Sequence, residues 1–357
     1  MKTLFDKTRI GNMNLKNRIF RSATSENLAY EGHLTKQLYK VYEDLANGGV
    51  GTIITSFTYI VQSEHPFPGM MGIYDDSFIE EYKKLTDMVH SHETNIILEI
   101  VYCGSFTMSN VEQEEILAPS PIVNLFTKVQ PKEMTKDDIS LLQKAFSDAA
   151  LRAKQAGFDG IQIYAAHGFL LSQFLSPYYN RRTDEYGGPI ENRARMVLET
   201  YDAVRQKVGA EYPIFVKINN SDAAGQTKGQ GMTFEDCRYV CGKLAEMGIN
   251  AIEISGDWLH FSPQQEAYFK EEAGKIAAEI DIPIILVGGN RNYHSMVETL
   301  NQTPIEYLSF ARPLIAEPNL IKRWQNGDTS KAKCISCNAC LNQAVSPKGI
   351  VGCFMNR

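Results

Sequence analysis

The sequence predicts a (β/α)8 TIM barrel, an α/β fold with extended loops at the C-terminal ends of its strands and a cysteine-rich tail. Three observations carry that reading. Short β-branched runs alternate with amphipathic stretches over residues 1–330, and eight such units can be counted. The Gly-x-Gly-x-x-Gly that a doubly wound sheet would place after a strand is absent. A length of 357 residues, divided by about 150 per domain, suggests two domains, but barrels of this kind run past ~200 residues as one unit. The expected division is a barrel over 1–330 and a tail over 331–357.

Strands are expected at 18–21, 51–57, 96–101, 160–164, 214–218, 251–255, 284–287 and 307–310. Each is an apolar run without in-out alternation, as expected when both faces of a parallel sheet are covered. The clearest helix spans 137–156. Thr135 and Asp138 form a capping box, Ile139, Leu142, Phe146, Ala149 and Ala153 keep one face apolar, and Gly157 stands where the helix stops. The stretches 193–208 and 234–247 repeat the pattern, the second closed by Gly248. Segments 102–131 and 165–192 are too long for simple connections. They follow the third and fourth strands, on the side where barrels bind substrate, and are expected as lids or pocket walls.

Composition narrows the function. Hydrophobic residues at 43% and charged residues at 22% suit a globular protein with a full core. Acids outnumber bases by 42 to 36, a net charge of −6, which argues against nucleic acid or an anionic membrane as a partner. The N-terminal Met-Lys-Thr-Leu-Phe-Asp-Lys lacks a signal-peptide core, and no apolar run approaches the ~18 residues of a membrane span, so a cytoplasmic location is expected. Cys103, Cys237 and Cys241 are scattered, whereas Cys334, Cys337, Cys340 and Cys353 crowd the tail. In a reducing compartment such a cluster reads as a metal site or as free thiols.

Chemistry is expected at the strand ends. Tyr164 and His167 flank the point where the fourth strand opens, and both can donate hydrogen bonds to one carbonyl or anionic oxygen. The blander alternative has Tyr164 packing and His167 satisfying a loop carbonyl. Gly288 and Gly289 after the seventh strand offer unobstructed backbone N–H groups, and Arg312 after the eighth adds a guanidinium, a recurrent phosphate-binding arrangement. Lys217, a cation within the apolar Phe-Val-Lys-Ile-Asn, needs an anionic partner. Glu99, in Ile-Ile-Leu-Glu-Ile, can be that partner, or both can face a common ligand.

Residues 174–193, Phe-Leu-Ser-Pro-Tyr-Tyr-Asn-Arg-Arg-Thr-Asp-Glu-Tyr-Gly-Gly-Pro-Ile-Glu-Asn-Arg, closely resemble a signature of the old yellow enzyme family. So do Leu4-Phe5, Leu15-Lys16-Asn17-Arg18-Ile19, Ala118-Pro119-Ser120-Pro121-Ile122, Ala156-Gly157-Phe158-Asp159-Gly160, Val287-Gly288-Gly289 and Arg312-Pro313, in the right order over essentially the whole chain. The resemblance implies a barrel holding FMN non-covalently and a reaction in two halves, with hydride passing from NADH or NADPH to the flavin and then to an acceptor. It places Ser22, Ala23 and Thr24 along the flavin ring and Ser25 near its N5/O4 edge. Lys217 falls near N1/O2, Gly288, Gly289, Ala311 and Arg312 fall on the phosphate, and Tyr164 and His167 on the substrate oxygen.

The departures are equally specific. Glu99 stands where the family commonly has Gln, and the usual His-His or His-Asn pair is Tyr-His. The tyrosine that many relatives use as proton donor is Phe169, so the proton must come from water, Tyr164 or another loop. His260, beside Trp258 after the sixth strand, is the tentative substitute. Tyr-x-x-His-x-Phe resembles the barrel domain of trimethylamine dehydrogenase. Cys334-x2-Cys337-x2-Cys340-x12-Cys353 resembles the [4Fe–4S] site that this enzyme shares with bacterial 2,4-dienoyl-CoA reductase. Zinc is the lesser metal reading, since zinc sites more often use paired arms, and the spacing is equally compatible with thiols that hold no cluster. The larger relatives continue into nucleotide-binding domains; with the chain ending four residues after Cys353, a cluster is expected to have no evident use within the chain.

The leading expectation is therefore an FMN-dependent NAD(P)H oxidoreductase acting on a small-molecule activated alkene such as an enone or enal. One alternative is an amine dehydrogenase that uses the cluster, for which Trp258 and Trp324 make a thin aromatic cage. Another is an electron-transfer subunit whose partner is a separate chain. The sequence leaves the acceptor, the choice of NADH or NADPH, and the formation of a homo-oligomer open.

Overall fold

A computed structural model describes residues 1–64, 67, 69–107, 115–222, 227, 229–256, 265–344 and 351–354. Eight parallel strands close on themselves: β1 (Ile19–Arg21), β2 (Thr52–Tyr59), β3 (Asn95–Val101), β4 (Gly160–Ala165), β5 (Ile214–Asn219), β6 (Ala251–Ser255), β7 (Ile284–Val287) and β8 (Tyr307–Phe310). Each pairs with its neighbours in chain order, and β1 pairs with both β2 and β8, which completes the barrel. A helix follows each strand: α1 (Lys36–Asn47), α2 (Ile79–His90), α3 (Lys136–Gln155), α4 (Arg195–Val208), α5 (Phe234–Glu246), α6 (Lys270–Glu279), α7 (Tyr293–Gln302) and α8 (Leu320–Gln325).

The reasons for these elements are local. The capping box expected at Thr135 and Asp138 is present at the start of α3, and Gly157 beyond its end takes φ +84°. An equivalent box at Thr233 and Asp236 starts α5. The stretch expected as one helix over 193–208 is two, Ile190–Arg193 and α4, joined at Ala194. Strand residues facing outward meet the helices in one continuous apolar layer that includes Ile53, Ile96, Ile163, Val216, Ile252 and Leu308.

The barrel interior divides into a dry lower half and a polar upper half. Below, a hairpin of Thr8–Ile10 with Met13–Leu15, turning at Gly11 with φ +54°, plugs the N-terminal end. Its Ile10, Met13 and Leu15 pack on Phe20, Ile54, Ile97, Phe215 and Tyr307. Above, a bulge in β2 between Ile54 and Phe57 resets its register so that Phe57 lies beside Glu99. Bulges recur where a strand must re-aim a side chain near a site. Trp324 is buried in the outer layer against Phe310 and Tyr293, with ring centroids 5.9 Å away in each case. It is a packing residue and contributes to no cage.

Phe20 is fully buried in the plug and touches the rings of Phe215 and Tyr307. Phe20→Ala should lower unfolding free energy by roughly 3–5 kcal/mol in chemical denaturation; a loss below about 1 kcal/mol would contradict this packing.

Candidate active site

Three charged residues meet inside the upper barrel. Parallel register sets Lys217 on β5 beside Glu253 on β6 and Tyr164 on β4, so all three project to the same side. Lys217 Nζ lies 3.3 Å from Glu253, 3.6 Å from Glu99 and 3.0 Å from Ser22 Oγ, to which it donates. All four side chains are buried. Burial pulls the Lys217 ammonium down, but Glu253 and Glu99 more than offset it, and its pKa ends above the ordinary value. Burial pushes the Glu99 carboxyl up to about 8 despite the opposing pull of Lys217, with Glu253 adding to the rise. The expected pairing of Lys217 with Glu99 is present. Glu253 is a third member that the sequence reading passed over, although an acid in Ala-Ile-Glu-Ile-Ser carries the same signal as Glu99.

One step nearer the mouth, the Tyr164 hydroxyl and His167 Nδ1 are 2.5 Å apart. His167 Nε2 lies 2.8 Å from Ser255 Oγ, and its backbone N–H donates to Asn219 Oδ1 at 3.3 Å. Among the described residues the imidazole meets a phenol and a hydroxyl rather than the loop carbonyl of the blander expectation. His167 takes φ +56°, a left-handed backbone that costs a non-glycine residue energy and that neighbours must enforce. Burial, then the charge of Lys217, lowers its pKa to about 3, so the ring is neutral in ordinary buffers. Burial holds the Tyr164 phenol well above its usual range. Two neutral groups thus share a hydrogen bond, and the Lys217 ammonium lies 5.5 Å from the centre of the Tyr164 ring.

An aromatic wall covers this pair. Phe169 lies 4.8 Å from Tyr164, 5.4 Å from Phe57 and 5.0 Å from Phe106 between ring centroids. Phe106 stacks on the exposed Phe126, both from the long segment after β3. That segment also lines a cavity of about 250 Å³ through Tyr102, Gly104, Thr107, Glu115 and Ile116. The expected role as a pocket wall therefore has a geometric basis. A larger cavity of about 430 Å³, lined by Asn12, Met13, Asn14, Asn95 and Tyr212 among others, lies at the plugged end. It sits opposite the charged cluster, and barrels place chemistry at the C-terminal ends of their strands.

Gly288 and Gly289 take φ +115° and +74°, and a Cβ on either would come within about 3 Å of Phe269 or Tyr268. Both conformation and space require glycine here. Ser22, which donates from its backbone to Phe310, starts the segment Ser22-Ala23-Thr24-Ser25, held from behind by a buried Arg21–Glu26 pair at 2.9 Å. Ala311 and Arg312 follow β8 directly, at the mouth. His260 and Trp258 lie outside the described residues, so no geometry bears on them.

The model of the NADH:flavin oxidoreductase / NADH oxidase family matches residues 3–330. The chain belongs to that family. It is 32% identical over 367 residues to a metal reductase of Desulforamulus reducens, covering 100% of this chain and 54% of that protein. An NADH oxidase of Thermoanaerobacter brockii is 32% identical over 371 residues, covering 99% and 56%. The chain therefore spans about half the length of these curated relatives. Among solved structures, a 2-naphthoyl-CoA reductase in complex with 2-naphthoyl-CoA superposes with a TM-score of 0.90 at 26% identity, over 98% of this chain and 56% of that one. Histamine dehydrogenase from Rhizobium sp. 4-9 gives 0.86 at 27%, over 98% and 51%. Morphinone reductase gives 0.79 at 25%, over 93% and 91%. These neighbours agree with the resemblance to old yellow enzymes.

The residues present fit the flavin of this family. The buried Asn290 Oδ1, just beyond β7, and Ser309 Oγ, near the end of β8, find no hydrogen-bond partner among the described residues. Buried polar atoms left open at a barrel mouth call for a ligand that supplies complementary groups. The four tail thiols are the right donor type for a cluster: Cys353 acts electrostatically on Cys334, and Cys334 and Cys337 act on Cys340. Cys334 is buried, Cys337 exposed and the other two half-buried. Among the described residues no three Cys, His, Asp or Glu side chains close around a metal position. Among those residues, too, no helix is long and apolar enough to cross a membrane.

Glu99 gives a pH test. Its folded carboxyl keeps a proton up to about pH 8, while the unfolded chain releases it near the ordinary 4.5. Between those values unfolding releases a proton, so rising pH destabilises the fold through this group. Glu99→Gln should raise the thermal midpoint over the parent at pH 8 and leave it unchanged at pH 4.5. A shift of equal size at both pH values would contradict the assignment.

Proposed function

We propose that this family member is an FMN-dependent oxidoreductase that draws on NADH or NADPH and reduces a small conjugated carbonyl compound, an enone or enal. Bound at the barrel mouth, the flavin would supply two-electron transfer between the nicotinamide and the acceptor. Gly288, Gly289, Ala311 and Arg312 would hold its phosphate, Ser22 to Ser25 its ring, and Glu99 its polar edge, with Lys217 offering charge to the side where negative charge gathers. The observation that carries the proposal is the Tyr164–His167 pair beside the buried Lys217.

The pair's protonation states suit this task. A neutral imidazole has one N–H and the phenol one O–H, and the two rings already share a contact. In this reading His167 turns its N–H from Ser255 to the carbonyl oxygen and polarises it so that the β-carbon accepts electrons. Phe169 has no proton to give. Tyr164 would give its proton to the α-carbon and regain one from water. The phenylalanine wall suits the flat apolar body of a conjugated substrate.

A second reading is favoured by the same wall, because aromatic faces also hold cationic amines. In it the chain would oxidise an amine and hand the electrons to a partner chain. A visible spectrum and an iron assay separate the readings: bleaching by NADH or NADPH without iron supports the first, and about four irons per chain with bleaching by an amine supports the second.

Tyr164→Phe should slow reoxidation of the reduced flavin by an enone about a hundredfold while changing its bleaching by NAD(P)H by less than about threefold in anaerobic stopped flow. Equal losses in both half-reactions would remove Tyr164 from acceptor chemistry.

A further inference from the structure

The cysteine segment does not hang free of the barrel. Ala332 N–H donates to Arg291 O at 2.9 Å, and Arg291 Nη1 reaches back to Ser336 Oγ at 3.0 Å. Arg312 Nη1 donates to Asn338 Oδ1. Further on, Val351 N–H meets Glu26 O at 3.4 Å, one residue past the Ser22–Ser25 segment. The segment is thus tied to the loops after β7, β8 and β1, the three that the flavin reading assigns to the cofactor. Between the cysteines, Asn338 takes φ +61° and its carbonyl accepts from Leu341 N–H, which starts the helix Ala339–Ala344. Asparagine tolerates that left-handed backbone better than most side chains. Its amide is thereby aimed at Arg312 by the turn itself.

We propose that Asn338 is a positioning residue for Arg312, fixing its guanidinium plane so that the cysteine segment takes part in holding the phosphate of FMN. This rests on the flavin reading above. A guanidinium recognises a phosphate through a planar fork of donors, so its orientation matters as much as its charge. Anchoring Nη1 to a neutral amide oxygen, with Nη2 3.5 Å from the Tyr268 hydroxyl, orders the fork before the anion arrives without placing a carboxylate there, which reduces the ordering cost of binding. A carboxylate in the same place would orient the fork equally well but would compete with the phosphate for its charge.

Riboflavin lacks the phosphate, so it isolates this effect from general damage. The experiment strips flavin from the full chain and measures FMN and riboflavin dissociation constants by fluorescence for the parent, Asn338→Gly and Asn338→Asp. Glycine keeps φ +61° without strain. Asn338→Gly should weaken FMN about tenfold and riboflavin less than about twofold. Asn338→Asp should weaken FMN further and again leave riboflavin nearly unchanged. Equal losses for both flavins would reduce Asn338 to a fold residue and overturn the proposal, as would parent-like FMN binding by both variants. A parent that does not distinguish FMN from riboflavin would overturn the phosphate assignment, and this proposal with it.

Discussion

A single ammonium group, Lys217 Nζ, shares the barrel core with two carboxylates, and the upper half of the molecule is arranged around it. Three ionisable groups so deeply buried cannot all be solvated, and their net charge must stay near zero. Removing the cation would leave a buried pair of acids, a loss on the order of 3–5 kcal/mol. The strands deliver this cluster through register alone: Lys217 sits level with both Glu253 and Tyr164, so closure of the barrel and assembly of the charges are one event. Burial, reinforced by the same cation, keeps His167 neutral, and the cation lies under the Tyr164 ring. Burial likewise holds the Tyr164 phenol protonated at the mouth.

The division of the interior explains how such a cluster survives. Below it, the hairpin plug and a layer of aromatic and branched side chains exclude water. Above it, phenylalanines from three separate segments close over Tyr164. The polar layer lies toward the loops at the strand ends, where the Gly288–Gly289 turn, Arg312 and the cysteine segment gather on one side. The relatives' greater length shows that a barrel of this kind also occurs within larger chains, and the tail contacts described above tie the cysteine segment to the loops after β7 and β8.

Much of this was legible in the sequence, for identifiable reasons. β6, β7 and β8 end where their apolar runs end, because strands buried on both faces leave an uninterrupted hydrophobic signature. Thr135 and Asp138 announced α3 because capping is a local hydrogen-bond pattern. Lys217 and Glu99 stood out as charges within such runs, and Glu253 offered the same signal. The rest depended on contacts between distant segments. Nothing near Ser255 marks it as a partner of His167, 88 residues away in sequence, and nothing near Asn338 marks it as a partner of Arg312. The hairpin plug was invisible because two three-residue strands carry too little pattern to read. Phe169 was noticed for the proton it lacks, whereas in the fold it is the centre of the aromatic wall.

In the proposed function Lys217 is kept charged to meet negative charge on a bound flavin. The direct measurement is the midpoint potential of FMN bound to the parent, Lys217→Met and Lys217→Arg chains. A lower potential in Lys217→Met, with Lys217→Arg close to the parent, is the predicted result, because loss of the cation disfavours the reduced, anionic ring. A Lys217→Met chain that binds FMN at the parent's potential or a higher one would contradict it, and would leave Lys217 as the counter-ion of Glu99 and Glu253 alone.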